Sequence, residues 1–216
     1  MTVLIRRYES RDYDTVRHLF AQGMMDYVPN SCLYLLRLRL LHLTFLALFI
    51  TSFLLFGSFL VSLLVILALL AVGYLLLILS IQKFINITYK ADLQNIEESY
   101  MLRHNSCFWV AEVNGQVVGM AGVQPIQGSS HDVELRRLSV AKHHRHKGIA
   151  RNLCMCVIDF ARQRGYQHVT LNTSTIQYAA HKLYQNMGFR KTRSKPSSNP
   201  LGRLVNVSIT YYTYDI

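Results

Sequence analysis

Leu138-Ser-Val140-Ala-Lys-His-His-Arg145-His-Lys-Gly148-Ile-Ala150-Arg151 is the most informative run in the sequence. It begins as an alternating strand, passes through a basic loop and enters a helix through Gly-x-Ala. Small residues there let a ligand approach the backbone, and the free N–H groups and positive dipole end of a helix start favour an anion. A strand–loop–helix of this kind is a cradle for a pyrophosphate. It is not a P-loop, because the Gly-Lys-Ser/Thr ending is missing. Nor is it a dinucleotide fingerprint, because both the G-x-G-x-x-G run and the downstream acid are absent. Taken alone, Arg-x-x-Gly-x-Ala also describes a plain basic helix start.

Reading outward, the helix runs from Gly148 to Arg164 and turns Ile149, Leu153, Cys156, Val157 and Phe160 inward, with Gly165 as its stop. His168 to Asn172 reads as a strand and Ala179 to Met187 as a short helix ended by Gly188. Leu204 to Tyr214, rich in Val, Ile, Thr and Tyr, reads as the closing strand. Upstream, Val133 to Val140 alternates. Phe108 to Val113 and Gln116 to Gln124 form a hairpin across Asn114-Gly115, with Gly119 and Gly122 marking a bulge or a close approach. Asp92 to Leu102 reads as a helix with Leu93, Ile96 and Tyr100 on one stripe. At the N-terminus, residues 3–8 read as a strand. Asp12 and Asp14 offer helix-start chemistry, and Val16, Leu19, Phe20, Gly23 and Met24 recur at helical spacing towards an end near Pro29-Asn30. The result is a mixed α/β (α+β) domain without internal repeats.

The composition adds a second component. Of 216 residues, 23 are basic and 12 acidic, yet none of these charges falls in the 43 residues from Leu40 to Gln82, 33 of which are apolar. The rest of the chain has the make-up of an ordinary soluble domain. A purely soluble protein, a polytopic transporter and a disordered chain are excluded. The run is too long and too far along the chain for a secretory signal. As one helix it would extend about 64 Å, against a hydrocarbon core of about 30 Å. A hairpin broken at Gly57-Ser58, with stretches of 40–57 and 59–81, fits better than a single tilted span. Residues 1–30 supply one strand and one helix, which cannot hold a core. They must pair with residues 83–216, so the insert over 33–82 enters and leaves the bilayer by one face. Arg37 and Arg39 before it, and Lys83 and Lys90 after it, place both ends in the cytosol.

The formal net charge of +11 is uneven. Arg136 to Arg151 holds six Lys/Arg, three His and no acid, and no acid lies between Phe160 and Tyr214. A basic face towards anionic lipid and a site for a polyanionic ligand are compatible readings; direct binding of nucleic acid is not expected. Cys32, Cys107, Cys154 and Cys156 make no zinc or disulfide framework and read as reduced core or interface residues. The sequons at Asn86, Asn172 and Asn206 lie too near the membrane or within strands. His143, His144 and His146 read as basic residues of the cradle loop rather than metal ligands. Trp109 reads as core.

Arg145-His-Lys-Gly148-Ile-Ala150 after Leu138-Ser-Val140 resembles the acetyl-CoA motif of the GNAT superfamily of N-acetyltransferases: a strand, Arg/Gln-x-x-Gly-x-Gly/Ala, then a helix. A second block is similar to the same superfamily: Leu171-Asn172, then Ala180-His-Lys-Leu183-Tyr184, then Gly188-Phe189. So is the opening Ile5-Arg-Arg-Tyr. The resemblance covers the whole chain outside the insert. The apolar insert after the first helix, with Cys107-Phe-Trp-Val-Ala-Glu112 and Val117-Val-Gly119 behind it, resembles the camello-like, or N-acetyltransferase 8, branch.

This resemblance implies a GNAT fold with a membrane hairpin inserted after the first β-α unit, and acetyl-CoA as acetyl donor without a metal. It implies cofactor contacts at Leu138, Val140, Arg145, His146, Lys147, Gly148, Ile149, Ala150 and Arg151, and from the second block at Asn172 and Gln177. Gln177 stands where family members often carry Asn. A deprotonated amine would attack the thioester while a strand N–H near Leu138–Val140 holds the oxyanion. Tyr184 sits where the family often places the acid; the plain reading is a core tyrosine. Glu134 is the candidate base, sharing the face of Leu138 if the strand is regular. Asp92 and Glu112 are weaker candidates, and Arg136 or Arg137 could bind a substrate carboxylate. The acceptor is expected to be a small α-amino acid derivative of the cysteine S-conjugate type. The alternatives are a protein lysine, or a camello-type role in cell adhesion with little catalysis. The expected location is the endoplasmic reticulum or Golgi membrane, with the catalytic domain facing the cytosol.

Overall fold

The computed structural model describes residues 2–197, 202–203 and 205–216. The chain divides into two compact units, Met1–Met24 with Ile85–Ile216, and Met25–Phe84.

In the first unit, β1 (Leu4–Arg7), β2 (Cys107–Val113), β3 (Gln116–Pro125), β4 (Asp132–Val140), β5 (His168–Ser174), β6 (Arg190–Pro196) and β7 (Ser208–Asp215) form one sheet in the order β1-β2-β3-β4-β5-β7-β6. All pairs are antiparallel except β4 with β5. A parallel pair needs a crossover, and helix α5 (Ile149–Gln163) makes it. The β2–β3 turn has positive φ at both Asn114 (50°) and Gly115 (78°), as a primed hairpin turn requires.

Alternation in the strands builds two apolar faces. Cys107, Ala111, Val118, Ala121, Val133, Leu135, Val169 and Leu171 meet Leu153, Cys154, Val157 and Phe160 of α5 in one cluster. Trp109 packs its ring on Phe160, centroids 5.4 Å apart. The buried cysteine of α5 is Cys154 rather than Cys156, because it lies closer to the Leu153–Val157 stripe; burial pushes its thiol up to about 12. The opposite face carries buried Phe108, Val110 and Met120. The buried residues Val16, Leu19 and Phe20 of α1 (Tyr13–Met25), together with Leu93, Ile96 and Tyr100, complete the interior.

The helix expected over Asp92–Leu102 forms only in part, as a π-helical turn over Glu97–Met101. Leu102 N–H bonds to Glu97 O across five residues, one wide turn, while Leu93, Ile96 and Tyr100 still point inward. The closing strand starts at Ser208; Leu204 lies outside the described residues. Strand β6, Arg-Lys-Thr-Arg-Ser-Lys-Pro, was not expected. It is an exposed edge with no apolar alternation to reveal it.

The second unit holds α2 (Val28–Leu36), α3 (Arg39–Phe56) and most of α4 (Phe59–Lys90). Pro29 opens α2 instead of ending α1, since the first turn of a helix tolerates a missing N–H. Gly57, at φ 62°, caps α3. Phe49 and Phe59 would stand about 15 Å apart along one continuous helix, yet their ring centroids are 5.4 Å apart, so the chain turns back at Gly57-Ser58. Ser52 and Ser62 are buried at equal sequence distance from Gly57. The outer faces leave Leu54, Leu55, Phe56, Phe59 and Leu60 exposed.

Candidate active site

The two ends of β4 are out of phase. Asp132 O accepts from Ile126 N–H, and Ala141 N–H donates to Val118 O on β3. Counting inwards by twos, Asp132, Glu134 and Arg136 from one end, and Ala141 and Ser139 from the other, direct their backbone polar groups towards β3. The register confirms the mismatch, pairing Gly122 with Arg136 and Met120 with Ser139. Two consecutive residues, Arg137 and Leu138, therefore oppose Ala121 alone in a wide bulge. Arg137 sits there at φ 57°. By this count the backbone N–H groups of both are turned away from β3.

On its other edge β4 pairs with β5 only at Asp132–His168, Val133–Val169 and Glu134–Thr170. Beyond this fork the parallel strands diverge, leaving a wedge at their C-terminal ends, where open α/β sheets bind ligands. The bulge donors line one side of it. The cradle loop follows β4 and is held by its own bonds: Arg145 Nε donates to Val140 O at 2.9 Å and Lys147 Nζ to His143 O at 3.1 Å. Gly148, at φ 79°, precedes the first turn of α5 with nothing within 4 Å of where a Cβ would stand. His144 Nδ1 is buried without a hydrogen-bond partner among the described residues. An open glycine, free helix N–H groups, an unsatisfied imidazole nitrogen and the cations Lys142, Arg145, Lys147 and Arg151 fit a phosphorylated ligand. Ile149 is buried in the core, so only its backbone can contribute; Ala150 packs beside that core and His146 (φ 61°) shapes the loop.

The bulge corrects one expectation. Leu138 and Val140 lie with Val133 and Leu135 on the α5 face, so Glu134 does not share the face of Leu138. It points to the opposite face at the fork, where Asn172 Nδ2 donates to its Oε1 at 2.8 Å and Arg136 Nε lies 3.4 Å from Oε2. Asn172, expected to touch the cofactor, thus bridges β5 to the candidate base. Gln177, before α6 (Tyr178–Asn186), turns its carbonyl oxygen onto Ser174 N–H (3.0 Å) and Thr173 Oγ1 (2.5 Å). Tyr184 is buried on the α5 face, its ring 5.7 Å from Phe189 and 5.9 Å from Tyr212.

Two weaker base candidates are bound elsewhere. Glu112 accepts from Arg6 Nε at 2.9 Å, towards the β1 edge of the sheet. Asp92 takes a bidentate pair from Arg137, Nε–Oδ2 2.9 Å and Nη2–Oδ1 2.5 Å. Burial alone would raise the Asp92 carboxyl, but the Arg137 bonds and charge outweigh it and hold it below the usual carboxylate range. The pair occupies Arg137, whereas Arg136 lies beside Glu134 at the fork. Sequence reasoning missed His181, whose Nδ1 lies 2.8 Å from Tyr212 Oη while Nε2 lies 3.0 Å from Ser174 O. No spacing signal links it to Tyr212, 31 residues away.

A mixed sheet that parts beside a glycine-opened helix start is a frame suited to a phosphorylated ligand. The chain belongs to the acetyltransferase (GNAT) family, which it matches over residues 77–189, and within it to the camello and N-acetyltransferase 8 branch. It is 40% identical to a Xenopus tropicalis protein named as an N-acetyltransferase camello, over 99% of this chain and 98% of that one. It is 34% identical to N-acetyltransferase 8 of Rattus norvegicus, over 98% and 96%. Among solved structures, a GNAT acetyltransferase from Staphylococcus aureus Mu50 shares the fold at 17% identity and TM-score 0.60, covering 98% of this chain and 99% of that one. A Bacillus anthracis acetyltransferase solved with acetyl coenzyme A does so at 17% identity and TM-score 0.51, covering 55% and 67%. The chain is accordingly an acetyl-CoA-dependent acyltransferase.

Proposed function

We propose that the protein is a membrane-tethered N-acetyltransferase that acetylates the α-amino group of a small amino acid derivative of the cysteine S-conjugate type. The observation that carries the reading is the parting of β4 and β5, whose pairing ends at Glu134–Thr170. Acetyl-CoA would be held by the loop 141–148, the start of α5 and the Leu138–Val140 edge, and it supplies the thioester carbonyl. The Arg137 and Leu138 N–H groups are placed to stabilise charge on that oxygen. Glu134, on the opposite face from Tyr184, accepts the proton of an amine arriving from its own side. Tyr184 returns a proton on the α5 face. Acid and base on opposite faces suit direct transfer between two substrates bound together.

Arg136, half-exposed beside Glu134 and bonded to Gln124 at 2.5 Å, offers a guanidinium to an α-carboxylate. A lysine side chain in a protein brings no such anion, so this favours the amino acid reading. The exposed apolar helices α3 and α4 support a hairpin in the bilayer, and the flanking Arg37, Arg39, Lys83 and Lys90 support a cytosolic catalytic unit on endoplasmic reticulum or Golgi membranes. The test is turnover of S-benzylcysteine, its carboxamide and a lysine peptide by the full chain with acetyl-CoA. The free carboxylate should be preferred at least tenfold over the carboxamide. Equal rates on the lysine peptide would overturn the acceptor assignment.

A further inference from the structure

Arg137 stands out among the described non-glycine residues with positive φ: the others, Asn105, Asn114, His146 and Asn206, lie in turns and loops, whereas Arg137 lies inside a strand. A long side chain with a Cβ rarely adopts this conformation, and something must hold it. Its guanidinium is gripped at two nitrogens by Asp92, with the two side chains only 14% and 9% exposed. The Tyr100 hydroxyl donates to the same Asp92 carboxylate, and the Phe20 ring lies 5.4 Å from the guanidinium carbon. Asp92 follows α4 by two residues and Tyr100 lies in the wide turn, so segments distant in sequence converge behind one bulged residue. Buried ion pairs are poor sources of net stability; conformational specificity is their better-attested use. The alternative open to a strand with one extra residue is a slip that restores regular pairing and turns side chains to the wrong face.

We propose that Asp92 and Arg137 are positioning residues that lock the β4 bulge and so aim the Arg137 and Leu138 N–H groups into the wedge. This rests on the acyl-transfer reading above. Neither side chain need touch a substrate. Their effect is to keep two adjacent backbone donors where charge develops, which bears on turnover rather than on donor binding.

The test compares Arg137→Lys and Asp92→Asn with Arg6→Lys, in full chain reconstituted in lipid nanodiscs. Arg6 is a matched control. It is also largely shielded, at 17% exposed, and it pairs bidentately with Asp12 (2.7 and 2.8 Å) and with Glu112, but on β1, three strands from β4. Arg137→Lys and Asp92→Asn should each lower kcat at least tenfold with the acetyl-CoA KM within threefold, and the double variant should fall little further. Arg6→Lys should keep kcat within twofold at a similar loss of Tm. An unchanged kcat in Arg137→Lys, or an equal loss in Arg6→Lys, overturns the proposal. A wild-type chain silent with every amine would sink the acyl-transfer reading instead. Amide hydrogen exchange at Leu138 then decides the clamp: faster exchange in Asp92→Asn but not in Arg6→Lys supports it, and equal rates overturn it.

Discussion

Gly148 shows how a single residue was legible in sequence for a reason the structure makes physical. It stands at φ 79° with open space beyond its Cα, at the start of α5. Gly148→Glu combines a left-handed penalty of about 1–2 kcal/mol with an anion aimed at an anion site. Acetyl-CoA binding by calorimetry should be lost while the protein stays folded; surviving affinity would show the cradle to be elsewhere. Tyr184 is a harder case, because its burial among Phe189 and Tyr212 is what a core tyrosine would also show. Phenylalanine preserves that packing. Tyr184→Phe should therefore leave Tm within a few degrees and lower kcat by about 100-fold, the lower range for a general acid; an unchanged rate removes it from that role. Glu134 was legible as a candidate but not as to its direction, since one αL residue three positions later reverses the alternation from which its face was read.

At the level of elements, hydrophobic period found the strands and helices that face the core and missed those that do not. Strand β6, wholly exposed, carries only polar and basic residues before its proline. The segment after α4 kept its inward stripe, but only Glu97–Met101 is helical, as a single wide turn. Close packing explains two glycines of β3. A Cβ on Gly122 would lie 2.7 Å from Tyr100 and 2.9 Å from Phe108, and one on Gly119 3.2 Å from both Ile149 and Leu153. Gly122→Ala should cost about 1–3 kcal/mol, read as a lower Tm; no loss would mean that the aromatic pair yields. The Asp92–Arg137 pair also sets a pH dependence. The Asp92 carboxyl is depressed in the folded state, so its stabilisation is complete above the unfolded value of about 3.9 and is lost as pH falls through the folded value. Stability measured from pH 6 to pH 2 should drop more steeply in the wild type than in Asp92→Asn, and parallel curves would contradict the pairing.

Across the whole molecule the question is how an apolar helical hairpin came to interrupt one sheet. Strand β1 pairs with β2 across the insert, Leu4 opposite Glu112 and Arg7 opposite Trp109, so the proposed bilayer hairpin requires both of its ends on one side of the membrane. Glycosylation tags at residues 1 and 216 of the full chain, expressed in microsomes, should both stay unmodified. One modified and one unmodified tag would break the hairpin reading, and two modified tags would place the catalytic unit in the lumen. The sequence by itself determined the strand–loop–helix cradle, the Asn-Gly hairpin and the charge-free insert. Each is a local pattern, in which residue type and spacing act over a few positions: a glycine at positive φ, an apolar period, a run without charge. Only the tertiary structure decided where β4 and β5 part, that Arg137 bulges β4, that Asp92 lies behind it, and that Glu134 and Tyr184 stand on opposite faces. Those facts depend on backbone register and on pairs such as Asp92–Arg137, 45 residues apart, for which local sequence carries no signal.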